Sequence, residues 1–159
     1  MKKIALILTL VMGIAISIEA QPRAVGARLG GNMEASYQHQ LGAKNMIDAT
    51  AGLTLGWNWM AVSATAVYDW IFPINSWNNA GKWNWYAGPG AGVGFVIPAS
   101  GYSVRIPVAL NIGGQAGIEY QFEFPLTLSL DYRPMINVLG FGSYWTDYSA
   151  IALGVRYRF

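Results

Sequence analysis

The chain has 159 residues, with ten basic and eight acidic side chains, one histidine and no cysteine. Charged residues make up 11% and hydrophobic residues 53%, against about 25% charged in soluble domains, which predicts an outer surface that does not face water. The nearly balanced charge gives no case for a nucleic-acid partner, and the missing cysteine excludes disulfides and a lipid-anchored cysteine.

Residues 1–20 read as a secretory signal peptide. Lys2 and Lys3 supply the charged start, Ile4 to Ile18 the apolar stretch, and Ile18-Glu19-Ala20 the cleavage site after Ala20. As a retained helix the stretch would be short for a span of about 20 residues, and no stop-transfer charges follow it. Cleavage would remove Lys2, Lys3 and Glu19, taking the ten basic and eight acidic groups to eight and seven. Residues 21–159 carry no repeat or low-complexity linker and are expected to form one domain.

That domain alternates with a period of two. Successive strand side chains point to opposite faces, so each alternating segment has one apolar face and one polar or small face. Val25, Ala27 and Leu29 oppose Gly26, Arg28 and Gly30. Met33, Ala35, Tyr37, His39 and Leu41 oppose Glu34, Ser36, Gln38 and Gln40. Ile47, Ala49, Ala51, Leu53, Leu55 and Trp57 oppose Asp48, Thr50, Gly52, Thr54 and Gly56. Met60, Val62, Ala64, Ala66, Tyr68, Trp70 and Phe72 oppose Ser63, Thr65 and Asp69. In Lys82 to Val96, Trp83, Trp85, Ala87, Ala91, Val93 and Phe95 oppose Asn84, Tyr86, Gly88, Gly90, Gly92 and Gly94. Pro89 predicts a bulge or local distortion in that segment.

In Arg105 to Phe122, Ile106, Val108, Leu110, Ile112, Ile118, Tyr120 and Phe122 oppose Arg105, Asn111, Gly113, Gln115, Gly117, Glu119 and Gln121. In Leu126 to Arg133, Leu126, Leu128, Leu130 and Tyr132 oppose Thr127, Ser129, Asp131 and Arg133. In Ser149 to Phe159, Ile151, Leu153, Val155, Tyr157 and Phe159 oppose Ala150, Ala152, Gly154, Arg156 and Arg158. Turn signals separate the segments at Gly31-Asn32, Gly42-Ala43-Lys44, Asn58, 73–81, 98–101, 123–125 and 139–143.

No later segment holds about 20 consecutive apolar residues, so helical spans are excluded beyond the signal. Only helices and closed barrels satisfy their backbone groups in lipid. The expected fold is therefore all-β, a closed antiparallel transmembrane β-barrel of about eight strands. A soluble barrel would alternate too, and the aromatics decide against it. With the first strand starting in the periplasm, Trp70, Phe72, Trp83, Trp85, Tyr120, Phe122, Tyr157 and Phe159 fall at one rim. Trp57, Phe95, Tyr102, Phe141, Tyr144 and Trp145 gather near the other. Two aromatic girdles around an aliphatic band suit the interfaces of a bilayer.

The ending Val155-Arg156-Tyr157-Arg158-Phe159 resembles the terminal strand of bacterial outer-membrane barrels, which ends in alternating apolar residues and a C-terminal aromatic. The short chain and strand spacing resemble the small barrels of the OmpA/OmpX type. Val25-Gly26-Ala27-Arg28-Leu29-Gly30 and Leu128-Ser129-Leu130-Asp131-Tyr132-Arg133-Pro134 resemble a Bacteroidetes-type outer-membrane β-barrel family. The resemblance covers the whole mature chain. It implies a place in the outer membrane of a Gram-negative cell, in contact with outer-membrane lipid. It also implies that Tyr157 and Phe159 are read by the barrel-assembly machinery. It implies no shared reaction.

Little in the sequence suggests chemistry. His39 is the single histidine, and outer-membrane lipid A acylases and deacylases pair a histidine with a serine or an acid. His39 falls on the outward face near a rim, with no matching motif around it, and reads as an interfacial residue. No catalytic, cofactor-binding or metal-ligating set is expected. The alternating Gly88, Gly90, Gly92 and Gly94 read as space inside a tight barrel rather than a phosphate loop, since no Lys-Ser/Thr follows.

The inward charges are the remaining constellation: Arg28, Glu34, Asp48, Asp69, Arg105, Glu119, Asp131, Arg133, Arg156 and Arg158. Charges removed from bulk water need partners, and such a lumen barely holds its own side chains. They are expected to form an ion-pair plug centred on Arg28, Asp131, Glu119 and Arg156, with Asp48, Asp69 and Arg133 joining it. A gated ion path is the sharper alternative. The expected role is a non-enzymatic structural or interaction protein, with an unidentified protein as its candidate partner. A narrow small-solute pore or a lipid-modifying enzyme is the alternative. Brief turns such as Gly31-Asn32 argue against adhesion through loops.

Overall fold

Alternation, β-branched residues and aromatics favour extended chain, and each alternating segment in the computed structural model is a strand. The structure describes residues 23–57, 59–77, 80–98, 108–139 and 151–159. The signal peptide at residues 1–20, the turn at Asn58, and Tyr102, Arg105, Ile106, Phe141, Tyr144 and Trp145 lie outside the described residues.

The strands are β1 (Arg23–Gly30), β2 (Met33–Gln40), β3 (Asn45–Leu55), β4 (Trp59–Pro73), β5 (Lys82–Pro98), β6 (Val108–Gln121), β7 (Leu126–Tyr132), β8 (Met135–Leu139) and β9 (Ile151–Arg158). One 3₁₀ turn, Asn75–Trp77, follows β4. Antiparallel ladders run through β5-β4-β3-β2-β1-β9-β7-β6, and β5 pairs with β6 to close the ring. The chain from Leu126 on was expected to be one strand ending at Arg133. Instead β7 and β8 are two pieces of one strand position, both paired to β6, with Ala116 opposite Tyr132 and Gly113 opposite Met135. The break falls at Arg133-Pro134, where proline has no N–H to give a ladder. Nine strand segments thus fill eight positions around the barrel.

The register sets the tilt. A ladder leaving β5 at Lys82 passes Gln121, Thr127, Arg156, Gly26, Ser36, Thr50 and Thr65, and returns to β5 at Gly92, ten residues on. That stagger inclines the strands by about 40° to the barrel axis. At the ends, Arg23 N–H donates to the Phe159 carbonyl at 3.3 Å and Phe159 N–H to the Arg23 carbonyl at 2.9 Å. Pro89 distorts the wall without shifting it. The β4–β5 ladder skips Tyr68 and Asp69 and resumes in the same register, from Val67–Gly90 to Trp70–Ala87. The skipped stretch brings the Tyr68 carbonyl against Gly88, where any Cβ would collide with it.

Polarity is inverted relative to a soluble barrel. Arg28, Glu34, Asp48, Asp69, Glu119, Asp131 and Arg156 are all buried inside. Leu29, Leu130, Leu153 and Val155 stand outside, Leu153 with 59% of its surface exposed. An exposed aliphatic belt of this extent in water would forfeit about 25 cal/mol per Å². In lipid that cost vanishes, while the closed ladders satisfy the backbone. The fold is a closed, antiparallel, eight-stranded transmembrane barrel.

Candidate functional site

A barrel of this size is filled by its own side chains, and here the filling is ionic. On β1, Arg28 reaches Asp131 of β7 at 2.7 Å and Glu34 of β2 at 3.0 Å. Arg133, at the break between β7 and β8, reaches the same Glu34 at 3.4 Å and Asp48 of β3 at 3.5 Å. Arg156 of β9 reaches Asp48 at 3.1 Å. The charges alternate without interruption in the order Asp131, Arg28, Glu34, Arg133, Asp48, Arg156. Each carboxylate except Asp131 lies between two guanidinium groups. Asp131 instead receives the Tyr86 hydroxyl at 3.4 Å.

Neutral donors and acceptors complete the chain. Arg156 donates to Ser36 and Ser129, both at 2.7 Å. Arg133 donates to Thr50 at 3.0 Å and also to the Gln115 side-chain oxygen. The Gln115 amide nitrogen faces Asp69 at 3.1 Å and Asp48 at 3.5 Å. Buried charges are tolerated when geometry and extra hydrogen bonds offset their desolvation; the Arg28 and Arg156 pairs are short, and Arg133, farther from its carboxylates, is also held by Thr50 and Gln115.

The expected centre is thereby corrected in two places. Arg156 meets Asp48 rather than Asp131, because the register sets Arg156 opposite Thr127 and Asp131 opposite Ala152, four residues away along β9. Glu119 stays outside the ion chain. Its carboxylate accepts from Asn84, its ladder partner, at 2.9 Å and from Gln121 at 2.7 Å. Asp69 likewise has no ion pair among the described residues and is held by Gln115. Glu34, an inward charge not singled out for the plug, joins it between Arg28 and Arg133, and Gln115, Ser36, Ser129, Thr50 and Tyr86 supply contacts that a reading of charges alone does not weight. Their common signal was an inward position in a strand.

Beyond the ion chain lies a cavity of 480 Å³ at the end of the barrel that carries Arg23 and Phe159. Met46, Ile71 and Tyr86 pack as a buried apolar cluster, and the first two continue into the cavity wall beside Ala24 and Trp83. Gln38, Gln40, Asn84, Gln121 and Thr127 form its polar wall. Arg23, Lys82, Arg158 and Glu119 bring charge to it.

His39 lies elsewhere, on β2 beside Tyr37, with ring centroids 6.3 Å apart. Neither of its ring nitrogens has a hydrogen-bond partner among the described residues. Also among the described residues, no cluster of three or more His, Asp or Glu side chains is arranged to hold a metal ion.

Trp70, Phe72, Trp85, Phe95, Tyr157 and Phe159 are exposed on the outer face. Phe72 stacks on Trp85 with centroids 4.1 Å apart. Trp83, Tyr120, Phe122 and Phe124 form a continuous run at one rim, with successive centroids 4.8, 4.6 and 4.8 Å apart. Trp77 joins it edge-on to Trp83 at 5.6 Å. Trp57 is fully exposed at the opposite end, in the turn before Trp59. Trp59, Trp77 and Phe124 are exposed aromatics that alternation does not flag, because they sit at strand ends and in turns.

No protein-family model matches the chain, and no curated protein matches it. Among solved structures, the chain is similar to a major outer membrane protein from Thermus thermophilus. The match has 12% identity and a TM-score of 0.47, and covers 89% of this chain and 100% of the other. The assignment of the chain to transmembrane barrels rests on its own closed register and inverted burial.

Proposed function

We propose that this chain is a non-enzymatic protein of the bacterial outer membrane, with a structural or interaction role and a lumen closed to solutes. The observation that carries this reading is the alternating ion chain across the interior, in which every charge has a partner. Outer-membrane barrels have short periplasmic turns and longer external loops. Here the connections 41–44, 74–81 and 122–125 share the end that holds Arg23 and Phe159, while the other end has the two shortest, 31–32 and 56–58, and the two longest, 99–107 and 140–150. The two longest connections support an orientation with Arg23 and Phe159 in the periplasm. Outer-membrane lipid then surrounds the aliphatic belt, and the barrel-assembly machinery receives Tyr157 and Phe159 during insertion.

Planar-bilayer recording of purified protein tests the closed lumen, with a flat baseline as the expected result. Reproducible open steps would replace this reading with that of a narrow small-solute pore. Mass spectrometry of lipid A from cells with and without the protein is expected to give identical spectra. A new acylated or deacylated species would make the chain a lipid-modifying enzyme.

A further inference from the structure

None of the six ion-chain residues lines the cavity at the Arg23 end, which has features of a binding site. Its volume of 480 Å³ is within the range of small-molecule pockets, about 300–1,000 Å³. Its polar lining is short of acceptors. Gln38 is 7% exposed, and its amide nitrogen is buried with no hydrogen-bond partner. Arg158 has the same deficit at Nε, although its outer nitrogens donate to Gln121 at 3.1 Å, to the Phe124 carbonyl at 3.0 Å and to the Phe122 carbonyl. A buried donor without an acceptor is costly, and a ligand that supplies one recovers that free energy.

The two donors lie on either side of one small residue. Gln38 and Arg158 are both ladder partners of Ala24, one on each neighbouring strand, and all three line the cavity. The charge points the same way. Arg23, Lys82 and Arg158 line the cavity against a single carboxylate, Glu119, whose Oε1 already accepts from Asn84 and Gln121. Met46, Ile71 and Trp83 supply apolar lining.

We propose that this cavity binds a small carboxylate bearing a short apolar chain, with its anionic end between Gln38 and Arg158 and its chain against Met46 and Ile71. The site goes beyond the closed-lumen reading and does not depend on it, because the ion chain lies deeper than the cavity.

Titration of ¹⁵N-labelled protein in nanodiscs with butyrate, at constant ionic strength, tests the proposal. The side-chain amide signal of Gln38, assigned by its loss in Gln38→Leu, is expected to shift and saturate. Butanol and butylamine are expected to give no saturable shift, and inorganic phosphate a weaker one. Gln38→Leu should weaken butyrate binding about fivefold to tenfold, read from other cavity signals such as the Asn84 amide. Ala24→Leu, which adds bulk between Gln38 and Arg158 while keeping every polar group, should abolish it. A linear, non-saturating butyrate response would overturn the site. So would an equal response to butylamine, or unaltered binding in Ala24→Leu. Phosphate saturating at lower concentration than butyrate would overturn the carboxylate assignment.

Discussion

Arg28 and Asp131 are 103 residues apart in sequence and meet at 2.7 Å inside the barrel. Their strands are not neighbours, since β9 runs between β1 and β7. The pair spans β9 where it presents only Gly154, opposite Arg28, and Ala152, opposite Asp131. Two small residues on the last strand thus let the first and seventh strands exchange charge.

Asp131→Ala leaves Arg28 with Glu34 as its ion-pair partner among the described residues. Breaking a buried pair from one side typically costs about 3–5 kcal/mol, and a loss of that order is expected in denaturant titrations of protein folded in lipid vesicles. Glu119→Gln, outside the ion chain, should cost about 1 kcal/mol or less. Equal stability of Asp131→Ala and wild type would remove Asp131 from the structural role assigned here.

Gly154→Val tests the gap itself. A Cβ at Gly154 would collide with the Ser129 hydroxyl and the Arg156 guanidinium. Overpacking of about 1–3 kcal/mol is expected in the same titration. Gly42→Ala has no atom within 4 Å of its new Cβ and should stay within about 0.5 kcal/mol of wild type. If the two glycine variants behaved alike, steric crowding at β9 would not be the cause.

Leu130→Arg probes the lipid face. Leu130 is exposed and lies opposite Ile118 and Leu153, well inside the strands. Arginine near the bilayer midplane costs about 2–4 kcal/mol, falling to about 0–1 near the interface. Leu126→Arg, at the first residue of β7, should therefore be tolerated far better. Refolding yields that rank the two variants the other way would misplace the membrane along the barrel.

Phe159 closes the backbone seam with Arg23 through its N–H and its carbonyl, while its ring is exposed on the outer face. Deleting Phe159 is expected to leave the protein in the periplasm, where it is degraded, while refolding into vesicles is less affected. Cell fractionation measures this, and normal outer-membrane yield of the truncated protein would show that assembly does not read Phe159.

Alternation, read residue by residue, determined the strands, the two faces and the closed barrel. A strand's side-chain period is a local property, and in Leu126 to Tyr132 each inward position is polar and each outward one apolar. The shortage of charge and the aromatic rims determined the solvent of the outer face. Alternation ended the seventh segment at Arg133 and left Met135–Leu139 unassigned, because that short run returns to β6 only through pairing.

The ion chain was decided by tertiary structure alone. Parity places Arg156, Asp48 and Asp131 inside, but the stagger around the barrel determines which level each reaches. That stagger is the sum of eight separate registers. It puts Arg156 beside Asp48, moves Asp131 to Arg28, and leaves Glu119 to its ladder partner Asn84. Partner choice among buried charges depends on differences of a few ångströms between strands distant in sequence, and those distances exist only once the barrel has closed.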